Sequence, residues 1–392
     1  MPTIDYTSKI LGMEDVIIEN FSTDEIETHI YISLKRKPHK CPHCGKLTDK
    51  VHDYRSSIIK DSPMLGKKTF IHYRKRRYHC PHCNKHFNEN FSIVPKNANI
   101  TSRLAQYAVS LLRNKYSVSS VANIVGVSCS TVFRWLKNVN FATPRCMPQV
   151  LSIDEFRGNA GGEKFQAILT DAKNHKLFDI LPNRSQTTLM SYFQRFKNRN
   201  DVKYFVMDMN KVYLGIAKEY FPNATIVIDK FHVVRYVTWA LENVRKSVQK
   251  LMHPAKRKYF KRSRLLLLTH KEKLSNESLQ ALEVMLQQSQ DLAYAYYLKE
   301  LFYKFMDSQN RPEAAKALSH FMLVAQTCNL KEFDACLTML GNWSKYILNA
   351  FDCPYTNGYT EGTNNAVKVI KRNGFGYRNF KNFRNRIFLA LT

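Results

Sequence analysis

The sequence predicts a multi-domain α/β chain, and three features of its 392 residues carry that reading. Two CPxC knuckles, Cys41-Pro42-His43-Cys44 and Cys80-Pro81-His82-Cys83, bracket a stretch of alternating polarity. A helix, a glycine turn and a second helix fill Ile100 to Val139. From Gln149 onward, apolar runs ending in acids alternate with amphipathic stretches, and the pattern turns wholly helical between His232 and Asn357. The expected segments are 1–95, 100–142, 148–231, 232–356 and 357–392.

The knuckles come first. Two CxxC turns offer four thiolates to a tetrahedral Zn²⁺, and the residue after each second cysteine lets the turn close on the metal. Cys41, Cys44, Cys80 and Cys83 are therefore the expected ligands of one structural zinc in a ribbon; four free thiols in loops are the plainer alternative. His43, His82 and His86 stand nearby, but four cysteines already fill the coordination shell. Alternation over Lys68–Tyr78 places Phe70, His72, Arg74, Arg76 and Tyr78 on one face of a strand that delivers the second knuckle. Arg74 and Arg76 are candidate phosphate contacts. The other cysteines (Cys129, Cys146, Cys328, Cys336, Cys353) are scattered and odd in number, which argues against a disulfide framework and for a reducing compartment, the cytoplasm. Met1–Asp5 shows no basic region leading into an apolar one, so no secretory signal is expected. The longest aliphatic run, Leu265–Leu268, falls far short of the roughly 18 residues that span a bilayer, so no membrane partner is expected.

In the next segment Leu104, Tyr107, Ala108, Leu111 and Leu112 recur at helical spacing. Ser117 opens a short helix that stops at Gly126, and Ser128 caps another containing Val132, Trp135 and Leu136. This is a helix-turn-helix pattern, although short helical hairpins also serve as plain scaffold. Ser130, Thr131 and Arg134 face away from the apolar stripe and are candidates to touch bases or phosphates. Charge supports them. The chain carries a formal +28, and residues 34–145 hold 22 Lys/Arg against four acids. Further basic runs cover Arg245–Lys273 and the residues after Glu361. Such an excess names nucleic acid as the leading partner, ahead of an anionic membrane surface and of a solubility accident, and a helix that would enter the major groove makes it double-stranded DNA.

Beyond Gln149 the strands Val150–Asp154, Phe165–Thr170 and Lys176–Leu181 precede a helix capped by Ser185, then strands Val202–Asp208 and Ala224–Asp229. The order β-β-β-α-β-α-β matches the ribonuclease H-like arrangement. Strand alternation separates Asp154 from Glu155, so that the two are not expected to point into one site. Asp154 and Asp208, at the mouths of adjacent buried strands, would make a site for hard divalent cations, or would stand simply as solvated strand-end acids. A helix starting near Thr360 decides between these readings. Glu361, Asn364, Asn365, Lys368, Lys371 and Arg372 share one face, with Val367 and Ile370 on the other. One acid, two amides and a ladder of cations suit a metal-ligand glutamate beside side chains that hold a phosphodiester backbone.

At these residues the sequence resembles the ISL3 family of bacterial insertion-sequence transposases. The likeness covers the twin knuckles, the helix-turn-helix with Trp135, Ser152-Ile153-Asp154-Glu155-Phe156, Val206-Met207-Asp208-Met209, Ile228–Val234, and Glu361-Gly362-Thr363-Asn364-Asn365 through Lys371-Arg372 to Gly376-Tyr377. It implies a DDE catalytic domain of ribonuclease H-like fold interrupted by an all-helical insertion, with Asp154, Asp208 and Glu361 as its triad. It further implies two Mg²⁺ or Mn²⁺ ions held by these acids, and strand nicking at the element ends followed by joining to target DNA. Asp229 and His232 form a D-x-x-H turn; Asp229 is a candidate further ligand or outer partner and His232 a candidate to orient the scissile phosphate, against a capped helix start with an ordinary histidine. Two element ends must meet, which implies a homodimer or higher homo-oligomer. The rivals are a non-enzymatic zinc-ribbon and helix-turn-helix regulator, and a nuclease that cuts without joining.

Overall fold

The computed structural model describes residues 12, 16–96, 98–262 and 264–392, with backbone alone at 259, 261 and 262. The residues that bear on a secretory signal, and the side chains of Lys261 and Arg262 in the second basic stretch, lie outside the described residues. The chain divides into two compact units, 1–141 with 369–392, and 142–368.

The first unit opens with a sheet. Strands β1 (Val16–Thr23), β2 (Glu27–Leu34), β5 (Val51–Met64) and β6 (Lys67–Cys80) lie in the order β1-β2-β6-β5, with β7 (Lys85–Asn88) on β6 and the two-residue strands β3 (His39–Lys40) and β4 (Leu47–Thr48) forming a separate pair. Ile30, Ile32, Leu34, Ile59, Ile71, Tyr73 and Phe91 make its core. The face read from β6 does not hold along its whole length. Thr69, Ile71 and Tyr73 are buried in the first half, and Arg76, Tyr78 and Cys80 in the second, so the buried side changes between Tyr73 and Arg76. Arg76 is thus internal: it donates to Leu34 O at 2.8 Å and pairs with the buried Glu89 at 3.3 Å. It is removed from the DNA-contacting set, because a guanidinium already satisfied by a carboxylate and a carbonyl has no free face for phosphate. Arg74 remains exposed, with its guanidinium 4.3 Å from the Tyr54 ring centroid.

Helices α1 (Ser102–Arg113), α2 (Val118–Val125) and α3 (Cys129–Asn138) follow. Ser117 and Ser128 cap α2 and α3 by accepting from Ser120 N and Thr131 N, and Gly126 closes α2 at φ +66°, where a side chain would strain the backbone. The last helix, here α14 (Phe380–Leu391), packs with this group rather than with the strands that begin at Val150. Leu389 enters the cluster of Leu104, Leu112, Val121, Val132 and Leu136. Asn385 donates to Leu136 O and Val139 O, and buried Arg386 donates to Leu112 O and Tyr116 O. Residues 369–392 group with residues 1–141 through this packing, and Arg386, one of the cations after Glu361, is a buried donor to the carbonyls of Leu112 and Tyr116 rather than a surface cation.

The second unit is built on strands β8 (Val150–Phe156), β9 (Gln166–Asp171), β10 (Lys176–Leu181), β11 (Tyr204–Met207) and β12 (Thr225–Ile228) in the order β10-β9-β8-β11-β12. The first three pair antiparallel, and β8, β11 and β12 run parallel. Helices α4 (Gln186–Gln194) and α5 (Lys211–Tyr220) make the connections. Alternation sends Leu151, Ile153, Phe205, Met207 and Ile228 into the main core, while Val150, Val206 and Val227 pack on the opposite face. Then come α6 (Lys230–Lys250), α7 (Pro254–Arg262), α8 (Arg264–Leu268), α9 (Asn276–Leu286), α10 (Gln290–Met306), α11 (Arg311–Cys328) and α12 (Asp334–Leu348), before α13 (Gly358–Asn373). Of the second basic run, Arg245 is buried and spent internally, paired with Glu242 at 2.7 Å and donating to Gln249 Oε1 and Phe260 O. No helix among the described residues is long and apolar enough to cross a membrane.

Candidate active site

Parallel pairing gathers acids at one edge of the sheet. Ser152 pairs with Val206, and two residues further along each strand stand Asp154 and Asp208. Met207 pairs with Ile228, which brings Asp229 beside Asp208, and Asp229 N donates to Met207 O. Three neighbouring parallel strands therefore each lead into an aspartate. Helix α13 supplies Glu361, and a cleft of about 500 Å³ is lined by Asp154, Glu155, Asp208, Phe231, His232, Arg235, Glu361, Asn364, Asn365 and Lys368.

What holds α13 over the strands is a buried polar network absent from the sequence reading. Ser152 donates to Asn357 Oδ1, Thr360 donates to Ser152 Oγ at 3.0 Å, and the Thr170 and Thr360 hydroxyls are 2.7 Å apart. All four side chains are buried. Ser152 and Asp154 share one face of β8, so the same alternation that aims Asp154 at the cleft aims Ser152 at the start of the helix.

Asn364 is not free to hold a phosphodiester. It is buried, and its Nδ2 donates to Asp154 Oδ2 at 2.7 Å. Asp154 Oδ1 accepts from Glu155 N at 2.7 Å, so both carboxylate oxygens are oriented. Burial pushes the Asp154 carboxyl up to about 6, with the Glu155 and Glu361 charges adding to it. Asp208 is pushed up to about 7, by burial first and then by Glu155 and Asp154, and its Oδ1 is buried without a hydrogen-bond partner.

Glu155 also lines the cleft, which corrects the expectation that it could not share a site with Asp154. Alternation does separate the two side chains, but at the strand end both faces border one opening. Glu155 is already engaged by Arg184 and by Tyr213 Oη at 2.9 Å, and Arg184 lies over the Phe165 ring. A carboxylate so paired is a poor competitor for a metal and a good fixed charge beside Asp208. Arg184, Tyr213, Asn357 and Thr170 carry no motif; only their contacts identify them.

Asp229 caps α6 by accepting from Phe231 N, and its Oδ2 has no hydrogen-bond partner. Burial raises its carboxyl, and burial together with the Asp229 charge raises that of Glu361. Among the described residues, donor atoms of Asp229, His232 and Glu361 lie within 4.8 Å of one another, whereas Asp154 and Asp208 do not join a group of that span. Of the other α13 candidates, Asn365 and Lys368 border the cleft; Lys371 and Arg372 do not line it and belong to the first unit. On α3, Ser130 and Arg134 are exposed and Thr131 is half-buried, its hydroxyl 3.0 Å from that of Ser128.

The four cysteine sulfurs also lie within 4.8 Å of one another. Cys41 Sγ is 3.6 Å from Cys83 Sγ, and Cys44 Sγ is 3.5 Å from Cys80 Sγ. Bonds of about 2.3 Å to one tetrahedral Zn²⁺ put sulfurs about 3.8 Å apart, so the set fits that ion. Gly45 and Asn84, directly after each second cysteine, take positive φ of 75° and 53°, the turn that closing on a metal needs.

An acid-lined cleft at parallel strand ends, carried in one chain with a helix-turn-helix and a four-cysteine ribbon, is the domain set of a transposase. A family of transposases defined by the ISL3-type DDE domain matches residues 151–387, more than half of the chain. The zinc-finger of transposase IS204/IS1001/IS1096/IS1165 matches residues 37–83, and the helix-turn-helix domain of transposase family ISL3 matches 89–140. The chain belongs to the ISL3 family of transposases. It is 26% identical over 364 residues to the transposase for insertion sequence element IS1001 of Bordetella parapertussis, covering 90% of this chain and 89% of that one. A local likeness of 44% over 55 residues joins it to a protein of Lactococcus lactis subsp. lactis described as an ATP-dependent protease, covering 13% of this chain and 18% of that one.

Proposed function

We propose that the protein binds the terminal inverted repeats of its insertion sequence through the ribbon and helix-turn-helix, and cuts and joins DNA strands at the acid-lined cleft. The observation that carries this reading is the convergence of Asp154, Asp208 and Asp229 on adjacent parallel strands with Glu361 from a distant helix. Buried carboxylates crowded together, two with oxygens lacking any donor, are costly unless cations meet them. The strand order, three antiparallel followed by two parallel, supports a ribonuclease H-like core, with residues 232–356 as a helical insertion ahead of Glu361.

Asp154, Asp208 and Glu361 would hold Mg²⁺ or Mn²⁺, and the residues present fit such ions. When bound, two such ions supply an activated water or 3′-hydroxyl and stabilise the leaving 3′-oxygen. The chain's own groups do the rest. Asn364 fixes the direction of Asp154. Arg184 and Tyr213 pin Glu155 in place at the edge of the cleft. Lys368, Asn365 and Arg235 border the opening and would hold the phosphodiester. Ser130, Thr131 and Arg134 on α3, Arg74 on β6, and Lys371 and Arg372 at the end of α13 would grip element-end DNA. Pairing of two ends calls for a homodimer or larger assembly, and the reaction for the cytoplasm.

A strand-transfer assay with pre-cleaved element ends tests the reading. Cutting and joining support it; binding alone supports a regulator, and cutting alone a nuclease. In the same assay Arg134→Ala should weaken end binding about tenfold or more, measured by footprinting, at equal cleavage of saturated complex. Asn364→Ala should raise the metal concentration for half-maximal cleavage about tenfold or more and leave end binding intact, since partners of metal ligands typically contribute that much. An unchanged metal requirement would show that Asn364 does not position Asp154.

A further inference from the structure

We propose that Asp229, His232 and Glu361 form a divalent-metal position of their own within the cleft, and that the imidazole nitrogen biases it toward a transition ion such as Mn²⁺ over Mg²⁺. The proposal rests on the metal-dependent reading of the cleft and adds which position carries nitrogen.

Two independent observations converge here. The three donor atoms come from a strand end, the first turn of α6 and the first turn of α13, yet lie within 4.8 Å of one another. Bonds of about 2.0–2.2 Å to a first-row ion need only small side-chain rotations to close from that span. Asp229 is nine-tenths buried, and its Oδ2 accepts no hydrogen bond. His232 Nε2 stands 3.9 Å from that oxygen, beyond hydrogen-bond reach. Two donors at that separation, with a third carboxylate within 4.8 Å, leave room for an ion between them.

The chemistry separates this position from its neighbour. Mg²⁺ prefers oxygen ligands and keeps much of its water, whereas imidazole suits transition ions. Asp154 and Asp208 offer only oxygen. Asp229, His232 and Glu361 offer two carboxylates and a nitrogen, so one cleft would hold two unlike positions.

The test titrates the full-length, zinc-loaded chain with MnCl₂ in the absence of DNA, following bound Mn²⁺ by electron paramagnetic resonance and nitrogen coupling by its pulsed form. A ¹⁴N coupling from directly bound imidazole is expected in the unaltered protein, lost in His232→Gln. Mn²⁺ affinity should fall about tenfold in that variant while Mg²⁺ affinity, read by competition, stays within twofold. Asp229→Asn and Glu361→Gln should each weaken the same nitrogen-coupled signal, so that the assignment does not hang on one variant's folding. No nitrogen coupling in the unaltered protein, or its survival in His232→Gln, overturns the proposal. Asp154→Asn separates the two readings: nitrogen coupling that persists in it supports this position, whereas strand cleavage that persists in it refutes the proposed function without touching the metal assignment.

Discussion

Asp208→Asn should abolish strand cleavage and at the same time stabilise the metal-free protein, both effects having one origin. The Asp208 carboxyl is held near 7 by burial and by the Glu155 and Asp154 charges, with one oxygen unpaired. Below about pH 4 the group is protonated in folded and unfolded chains alike, and contributes nothing. As pH rises past 4 the unfolded chain ionises first, so native stability falls until pH passes about 7, and the deficit then stays constant. Each pKa unit corresponds to about 1.4 kcal/mol, so the full deficit is on the order of 4–5 kcal/mol above neutrality. Asparagine carries no charge and removes it. Thermal unfolding of chelated protein should therefore show a clear gain for Asp208→Asn at pH 8 and almost none at pH 4. The same charge is what a cation would use, so cleavage should drop at least about a thousandfold, the several kcal/mol that metal stabilisation of a transition state supplies. Asp154→Asn and Glu361→Gln should lose cleavage likewise while end binding remains. An equal stability change at both pH values would remove the electrostatic account; retained cleavage would remove Asp208 from the catalytic set.

Loss of the ribbon's zinc carries the second large effect. The sheet core beneath the knuckles is small, eight buried apolar side chains among the described residues, and structural zinc in such modules contributes roughly 10–16 kcal/mol in isolated peptides. Cys41→Ser with Cys44→Ser should leave fewer than about 0.5 Zn per chain, against about one in the unaltered protein. The strand signal of the first unit and affinity for element ends should go with it. The main hydrophobic core of the second unit contains none of these residues, so its unfolding transition should persist. Zinc content near one in the double variant would overturn the four-cysteine assignment.

What could be read from the residues alone was local. Knuckle spacing fixed the four thiolates, the Ser117, Ser128 and Ser185 caps sat where the structure has helix starts, and acids closing apolar runs marked Asp154, Asp208 and Asp229. What could not be read was pairing across the chain. Asn364 and Lys368 look alike as polar members of one stripe, but one is buried against Asp154 and the other borders the opening. Arg76 and Arg386 count as cations in any sum, yet Glu89 and two helix-end carbonyls claim them. Alternation over β6 predicted a single face because it cannot register a change of buried side between Tyr73 and Arg76. The grouping of Asp229 and His232 with Glu361 depends on where α13 begins over the sheet, which Ser152, Thr170, Asn357 and Thr360 decide through contacts that leave no periodic trace.

The docking of α14 on the helix-turn-helix bears on synthesis of the protein. On the ribosome, α1 to α3 emerge well before Leu389, Arg386 and Asn385, which lie far along the chain from them. Until then the helical cluster lacks one wall, and the carbonyls of Leu112 and Leu136 lack the side-chain donors that add to their backbone ones. A nascent chain therefore cannot finish its helix-turn-helix module before residues 385–389 have been made. A chain cut short before residue 385 would lack that wall, and with it the buried packing that completes the helix-turn-helix.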